Sequence, residues 1–132
     1  MCRVLILDDD AYGAEEVKMT LELNSNAKAD VCVNLKDATA LVTTATDSGK
    51  PYEIFLIDLI LGPGKNGIEA MKVLRRASPD SDAIIFTGFG DMESGLMAYR
   101  AGAFRYLSKP FDNQELLYLV EALREWRKIQ RE

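Results

Sequence analysis

Two runs in this chain, Val4-Leu5-Ile6-Leu7 and Ile54-Phe55-Leu56-Ile57, are apolar at every position. A strand with one wet face alternates apolar and polar residues, so an unbroken apolar strand needs cover on both sides. The rest of the sequence supplies that cover. Short runs at 3–7, 29–33, 54–57, 83–86 and 105–107 read as strands, and longer helical patterns follow them at 11–23, 35–46, 67–77, 91–101 and 113–130. Regular alternation of this kind predicts an α/β domain, a parallel five-stranded sheet with helices on both faces joined by right-handed crossovers. A doubly wound sheet in the order 2-1-3-4-5 is the expected arrangement, with the second strand at an edge.

Punctuation falls at the boundaries. Asp112-Asn113-Gln114-Glu115 has the spacing of a helix start, with Asp112 as N-cap and Glu115 reaching back. Ser78-Pro79 ends the third helix, because a residue before proline avoids the helical region. In the last helix Leu116, Leu119, Val120, Leu123 and Trp126 form one apolar stripe. At 132 residues the chain is one domain by size. Residues 1–124 read as the domain, and 125–132, where the pattern turns charged, as a helix end running toward a linker.

Composition removes several function classes. There is no histidine, so a Ser-His or Cys-His pair, a histidine metal site and a phosphohistidine of the chain's own are all excluded. A net charge of −5 disfavours direct contact with nucleic acid or anionic lipid. No apolar run approaches the ~20 residues of a membrane span, which points to a cytoplasmic protein. Cys2 and Cys32 lie in apolar, strand-like surroundings without metal-type spacing and read as two buried thiols in a reducing compartment.

In an open α/β sheet, ligands bind beyond the carboxyl ends of the strands. Those ends deliver Asp8-Asp9-Asp10, Asp58, Thr87 and Ser108-Lys109-Pro110 to one rim, and only the second strand contributes nothing stronger than Asn34. Two carboxylates ~4 Å apart repel by roughly 4 kcal/mol at an effective dielectric near 20. Asp8, Asp9 and Asp58 together must therefore protonate, splay or bind a cation, and a hard, oxygen-seeking ion such as Mg²⁺ fits them. Lys109 and the Thr87 hydroxyl are then placed to meet a phosphate. A carboxylate nucleophile, a divalent ion and a lysine are the components of phosphoryl transfer to aspartate.

Taken singly, each residue has a plainer reading. Asp8–Asp10 can cap the first helix, Asp58 a loop, Lys109-Pro110 can start a helix, and Tyr106 can be core. None of these explains why four strand ends converge on one chemistry.

The same residues resemble the receiver domains of two-component response regulators. Leu5-Ile6-Leu7-Asp8-Asp9-Asp10, Phe55-Leu56-Ile57-Asp58, Ile85-Phe86-Thr87-Gly88 and Tyr106-Leu107-Ser108-Lys109-Pro110-Phe111 follow that family's pattern in order along the chain. The resemblance implies a flavodoxin-like fold and a phosphoacceptor switch rather than an enzyme acting on external substrates. It implies Asp58 as acceptor, and Asp8, Asp9, Asp58 and the backbone carbonyl of Ile60 around Mg²⁺, with Mn²⁺ as an alternative. It implies Thr87 and Lys109 on the phosphate, a cis bond before Pro110, and Thr87 and Tyr106 as the switch that remodels the helix 4–strand 5–helix 5 face. The implied partners are a histidine kinase or histidine phosphotransfer protein, and an output domain or partner protein. A homodimer through the face bearing Tyr99, Tyr106 and Tyr118 is a further expectation. The run Thr87-Gly88-Phe89-Gly90-Asp91 resembles receivers that precede ATPase-type transcription activators or serve related kinase pathways.

One departure concerns the loop after Asp58. The family usually has proline four residues and glycine eight residues beyond the acceptor. Here Pro63 and Gly67 each come one residue later, and the addition is placed in Gly62–Gly64, past Ile60. Ile60 and Phe89, each two residues past a site residue, are apolar and should slow attack by water on the phosphoryl group.

Three rivals stand beside this reading. A haloacid-dehalogenase-type phosphatase would use Asp8-x-Asp10, with Thr87 and Lys109 in support. Tyr12 departs from that family's pattern, and Asp58 is left without a role. A degenerate receiver that only docks a partner would have lost an acidic or lysine position, and none is lost. A flavin binder would need hydroxyls and N–H groups where the first loop is acidic.

Overall fold

The computed structural model describes residues 1–88 and 92–131, except for the side chains of Thr87, Met92 and Arg131. The elements alternate throughout: β1 (Cys2–Leu7), α1 (Ala11–Asn24), β2 (Ala27–Cys32), α2 (Leu35–Asp47), β3 (Ile54–Asp58), α3 (Gly67–Ala77), β4 (Asp82–Thr87), α4 (Met92–Arg100), β5 (Arg105–Ser108) and α5 (Asn113–Arg131). The five strands form one sheet in the order β2-β1-β3-β4-β5, every pair parallel. This is the expected doubly wound fold.

The apolar strands divide their side chains between two cores, as a period of two requires. Leu5, Leu7, Phe55, Ile57 and Ile85 pack with α2 and α3 through Ala38, Val42, Met71 and Leu74. Val4, Ile6, Ile54, Leu56, Ile84 and Phe86 pack with α1 and α5 through Leu21, Leu116, Val120 and Leu123. Cys2 and Cys32 are buried free thiols, and burial pushes both up to about 11. A raised value leaves little thiolate at neutral pH. Neither thiol should react with Ellman's reagent in the native protein, and both should react in urea. A fast-reacting native thiol would contradict this burial.

Side-chain caps set several helix starts. Asp10 accepts from Gly13 N–H at 3.2 Å, Asn34 from Asp37 N–H at 2.8 Å, Asn66 from Ile68 N–H at 2.7 Å and Asp112 from Glu115 N–H at 2.8 Å. Each such cap is worth about 1 kcal/mol.

Most element ends fall within one residue of the sequence reading; the start of β2 and the apolar stripe of α5 depart further. The second strand was expected at 29–33 but runs Ala27–Cys32. β1 ends at Leu7, paired with Cys32, and the Asp8 N–H closes the ladder on the Cys32 carbonyl, so Val33 has no strand to join. The edge position leaves Lys28 exposed, which hides the strand's beginning from an apolar pattern. In α5 the apolar stripe stops short of Trp126, which is 41% exposed and leans on Phe104 with ring centroids 5.6 Å apart. The buried residue is its charged neighbour. Arg127 donates to the Asp82 carboxylate at 2.5 Å and to the Asp80 carbonyl at 2.6 Å, tying the last turns of α5 to the start of β4. Position 91, expected to begin the fourth helix, lies outside the described residues.

Candidate functional site

Strand register builds the rim. Leu7 pairs with Ile57, Asp58 with Phe86, Phe86 with Leu107, and Thr87 with Ser108, so four strands end side by side. Asp8 follows β1 directly, Asp58 is the last residue of β3, and Lys109 follows β5. The order reverses beside β1, whose neighbours are β2 and β3, and the crevice opens there.

Asp8 and Asp58 are 2% and 8% exposed, well inside the usual range for core residues, while Asp9 is exposed. Carboxylate oxygens from all three lie within 4.8 Å of one another. Lys109 Nζ bridges the two buried acids, 3.0 Å from Asp58 Oδ2 and 3.3 Å from Asp8 Oδ2. Backbone donors fix the remaining oxygens. Asp10 N–H donates to Asp8 Oδ1 at 2.9 Å, and Ile60 N–H donates to Asp58 Oδ1 at 3.0 Å. The Lys109–Pro110 peptide bond is cis.

Electrostatics follow from this packing. Burial raises the Asp8 carboxyl; the Asp10 N–H and Lys109 pull it down, the like charge of Asp58 pushes it up, and the net shift is upward. Burial lowers the Lys109 ammonium, but its hydrogen bond to Asp58 and the charges of Asp8 and Asp58 outweigh that, and it is raised. One ammonium among three acids leaves a surplus of negative charge lined by hard oxygen donors. That donor set fits a divalent cation of the Mg²⁺ class.

The loop after Asp58 is a closed turn. Ile60 and Asn66 form an antiparallel bridge, Leu61 N–H donates to the Lys65 carbonyl, and Lys65 N–H donates to the Gly62 carbonyl. Gly62 and Gly64 take φ of 114° and 72°, a left-handed backbone that favours glycine. Gly67 then sits so tightly on the acceptor strand that a Cβ there would overlap the Asp58 carbonyl oxygen.

The other residues singled out in the sequence are placed as follows. Thr87 ends β4 at the rim, with its side chain outside the described residues, as is the whole of Phe89. Ile60 is exposed beside Asp58. Tyr106 is half-buried against the α2–α3 core, with its phenol oxygen out of solvent. Its ring lies beside Gly95 of α4, where an added Cβ would sit 3.6 Å from Cδ1. Asp10, the acid a phosphatase would need, instead caps α1 and is not in the cluster.

Sequence reasoning missed the aromatic support of the lysine. Lys109 Nζ stands 4.8 Å from the centre of the Phe86 ring, and Phe111 meets that ring edge-on with centroids 6.1 Å apart. An aromatic residue in an apolar strand reads only as core, so no local signal marks it.

Residues 4–121 match the model of the response regulator receiver domain. The C4-dicarboxylate transport transcriptional regulatory protein DctD of Pseudomonas aeruginosa is 32% identical over 127 residues, covering 96% of this chain and 26% of that protein. The chain thus spans about a quarter of the length of DctD and of the DNA-binding transcriptional regulator NtrC of Proteus hauseri. A CheY-like receiver domain structure from Methanospirillum hungatei JF-1 superimposes with a TM-score of 0.85 at 22% identity, covering 98% of each chain. The beryllofluoride-activated NtrC4 receiver domain dimer gives 0.84 at 24% identity, covering 96% of this chain and 99% of that one.

Proposed function

Because this chain belongs to the response regulator receiver domain family, a family of phosphoacceptor signalling switches, we propose that Asp58 is the residue that accepts the phosphoryl group. The observation that carries this is the meeting of buried Asp58 with Asp8 and Lys109 at one strand rim. In the transfer, an Asp58 carboxylate oxygen forms a bond to phosphorus as the bond from phosphorus to the donor breaks. The donor departs with that electron pair. The product is an aspartyl phosphate, later cleaved by water to carboxylate and phosphate.

Asp8, Asp9, Asp58 and the Ile60 carbonyl would hold Mg²⁺, or Mn²⁺ in its place. When bound, the ion supplies positive charge to the phosphoryl oxygens. Lys109 supplies the protein's own cation to the same oxygens, and the Thr87 hydroxyl a hydrogen bond. The Ile60 N–H on Asp58 Oδ1 holds one carboxylate oxygen in place, which orients the acceptor.

In this reading the donor is a phosphohistidine on a histidine kinase or histidine phosphotransfer protein, and because these 132 residues include no histidine it lies on another protein or on another part of a longer one. The output is a linked domain or separate partner, in keeping with relatives named as transcriptional regulators. The chain turns over no external phosphoester and makes no DNA contact itself. Among the described residues no helix is long and apolar enough to cross a membrane, in keeping with a cytoplasmic site of action. Pairing of two copies through the face with exposed Tyr99 and Tyr118 belongs to the same reading.

Intact mass after incubation with acetyl phosphate tests the acceptor. One phosphoryl adduct is expected, dependent on Mg²⁺ and lost in Asp58→Asn. An adduct that survives Asp58→Asn but is lost in Asp8→Asn would favour the phosphatase-type nucleophile instead. For the switch, Tyr106→Ala should be phosphorylated normally yet bind its partner at least several-fold more weakly. Equal affinity would remove Tyr106 from the mechanism.

A further inference from the structure

Phe86 is fully committed to the core and lies opposite Asp58 in the β3–β4 register. Packing alone does not require an aromatic ring there, since Ile84 and Leu107 serve the same core with aliphatic side chains. What the ring adds is a face. Lys109 Nζ lies 4.8 Å from its centre, within the ~6 Å over which a cation is attracted to an aromatic quadrupole. Phe111 braces the ring from the side at 79°, so its orientation does not depend on the ammonium.

Among the described residues the ammonium has three supports: Asp58, Asp8 and this ring. Asp58 is the acceptor itself and Asp8 is read above as a metal ligand, so of the three the ring is the support that neither the phosphoryl group nor the ion claims. On phosphoryl transfer one Asp58 oxygen becomes bonded to phosphorus and the negative charge moves outward, so the carboxylate pairing seen here is lost. The ammonium must then exchange that carboxylate for the phosphoryl oxygens, and a long, flexible lysine side chain does so readily only if its head is already held beside them.

We propose that Phe86 is a positioning residue for Lys109, its ring face keeping the ammonium beside Asp58 before and after the phosphoryl group arrives. This rests on the reading of Asp58 as acceptor and Lys109 as the phosphate's cation. A methionine at 86 would fill a similar volume without a π face, and a fluorinated phenylalanine would keep the shape while draining the face of negative potential. These changes separate positioning from packing.

The test uses the full chain with acetyl phosphate and Mg²⁺, comparing wild type, Phe86→Met, and chains carrying mono-, di- and trifluorophenylalanine at 86. The initial rate of adduct formation should fall stepwise with fluorination, to about a third to a fifth at three fluorines, with Phe86→Met similar. The ε-methylene protons of Lys109, assigned by their loss in Lys109→Met, should show an upfield ring-current shift that Phe86→Met abolishes. Equal rates across the fluorinated series and Phe86→Met, with wild type still phosphorylated, would overturn the role of Phe86 and leave the acceptor standing. No adduct on wild type would overturn the acceptor reading, and this inference with it.

Discussion

Gly67→Ala should destabilise the protein by about 3 kcal/mol and suppress phosphoryl uptake along with it. Helix propensity by itself points the other way, since alanine is favoured over glycine by about 1 kcal/mol inside a helix. Position 67 is the first residue of α3, however, and its N–H donates to the Leu59 carbonyl at 2.6 Å. An added Cβ would overlap the Asp58 carbonyl oxygen and come within 2.9 Å of the Asp58 carbonyl carbon and Leu59 Cα. These atoms are backbone, so no rotamer change relieves the clash, and the cost lies at the upper end for an overpacked site. Relief must come from a shift of the start of α3 or of the strand end that carries Asp58. Urea denaturation and the acetyl phosphate assay on the same variant check this, and a variant as stable as wild type would show that α3 can retreat freely.

Asp8→Asn should change metal-free stability and metal binding in opposite directions. Asp8 and Asp58 present carboxylate oxygens within 4.8 Å, a repulsion of about 3 kcal/mol at an effective dielectric near 20. Lys109 offsets part of this by contacting both. Asparagine keeps an oxygen to accept from the Asp10 N–H and removes one negative charge. The metal-free protein should therefore gain about 1–2 kcal/mol, in the manner of sites that give up stability for function. Mg²⁺ affinity by calorimetry should fall at least tenfold, because a buried anionic ligand is gone. Loss of stability with unchanged Mg²⁺ binding would mean that Asp8 serves the fold and not the ion.

The parts of this protein legible in its sequence are those whose cause is local. Unbroken apolar runs, such as Ile54–Ile57, can only be strands covered on both faces, and strand–helix alternation then allows few topologies. Asp112 announces its helix because capping acts over three residues, and its carboxylate accepts from the Glu115 N–H as expected, although the Glu115 side chain does not reach back to the Asp112 N–H. Strand ends carry Asp8, Asp58 and Lys109 to one rim whatever the details of packing. The edges of β2 were less legible, because they depend on where β1 stops.

Tertiary structure alone decided how the groups meet. Lys109 reaches acids 101 and 51 residues away, and those distances are set by the register of four neighbouring strands, not by any local pattern. The ring of Phe86 beneath the ammonium, the glycine contact that pins Asp58, and the burial of Arg127 in a charged stretch are of the same kind. Each is a pairing between distant segments, and sequence carries such pairings only through the fold that joins them. The residues available to the site were thus written along the chain, while their geometry arose when β1, β3, β4 and β5 closed into one sheet.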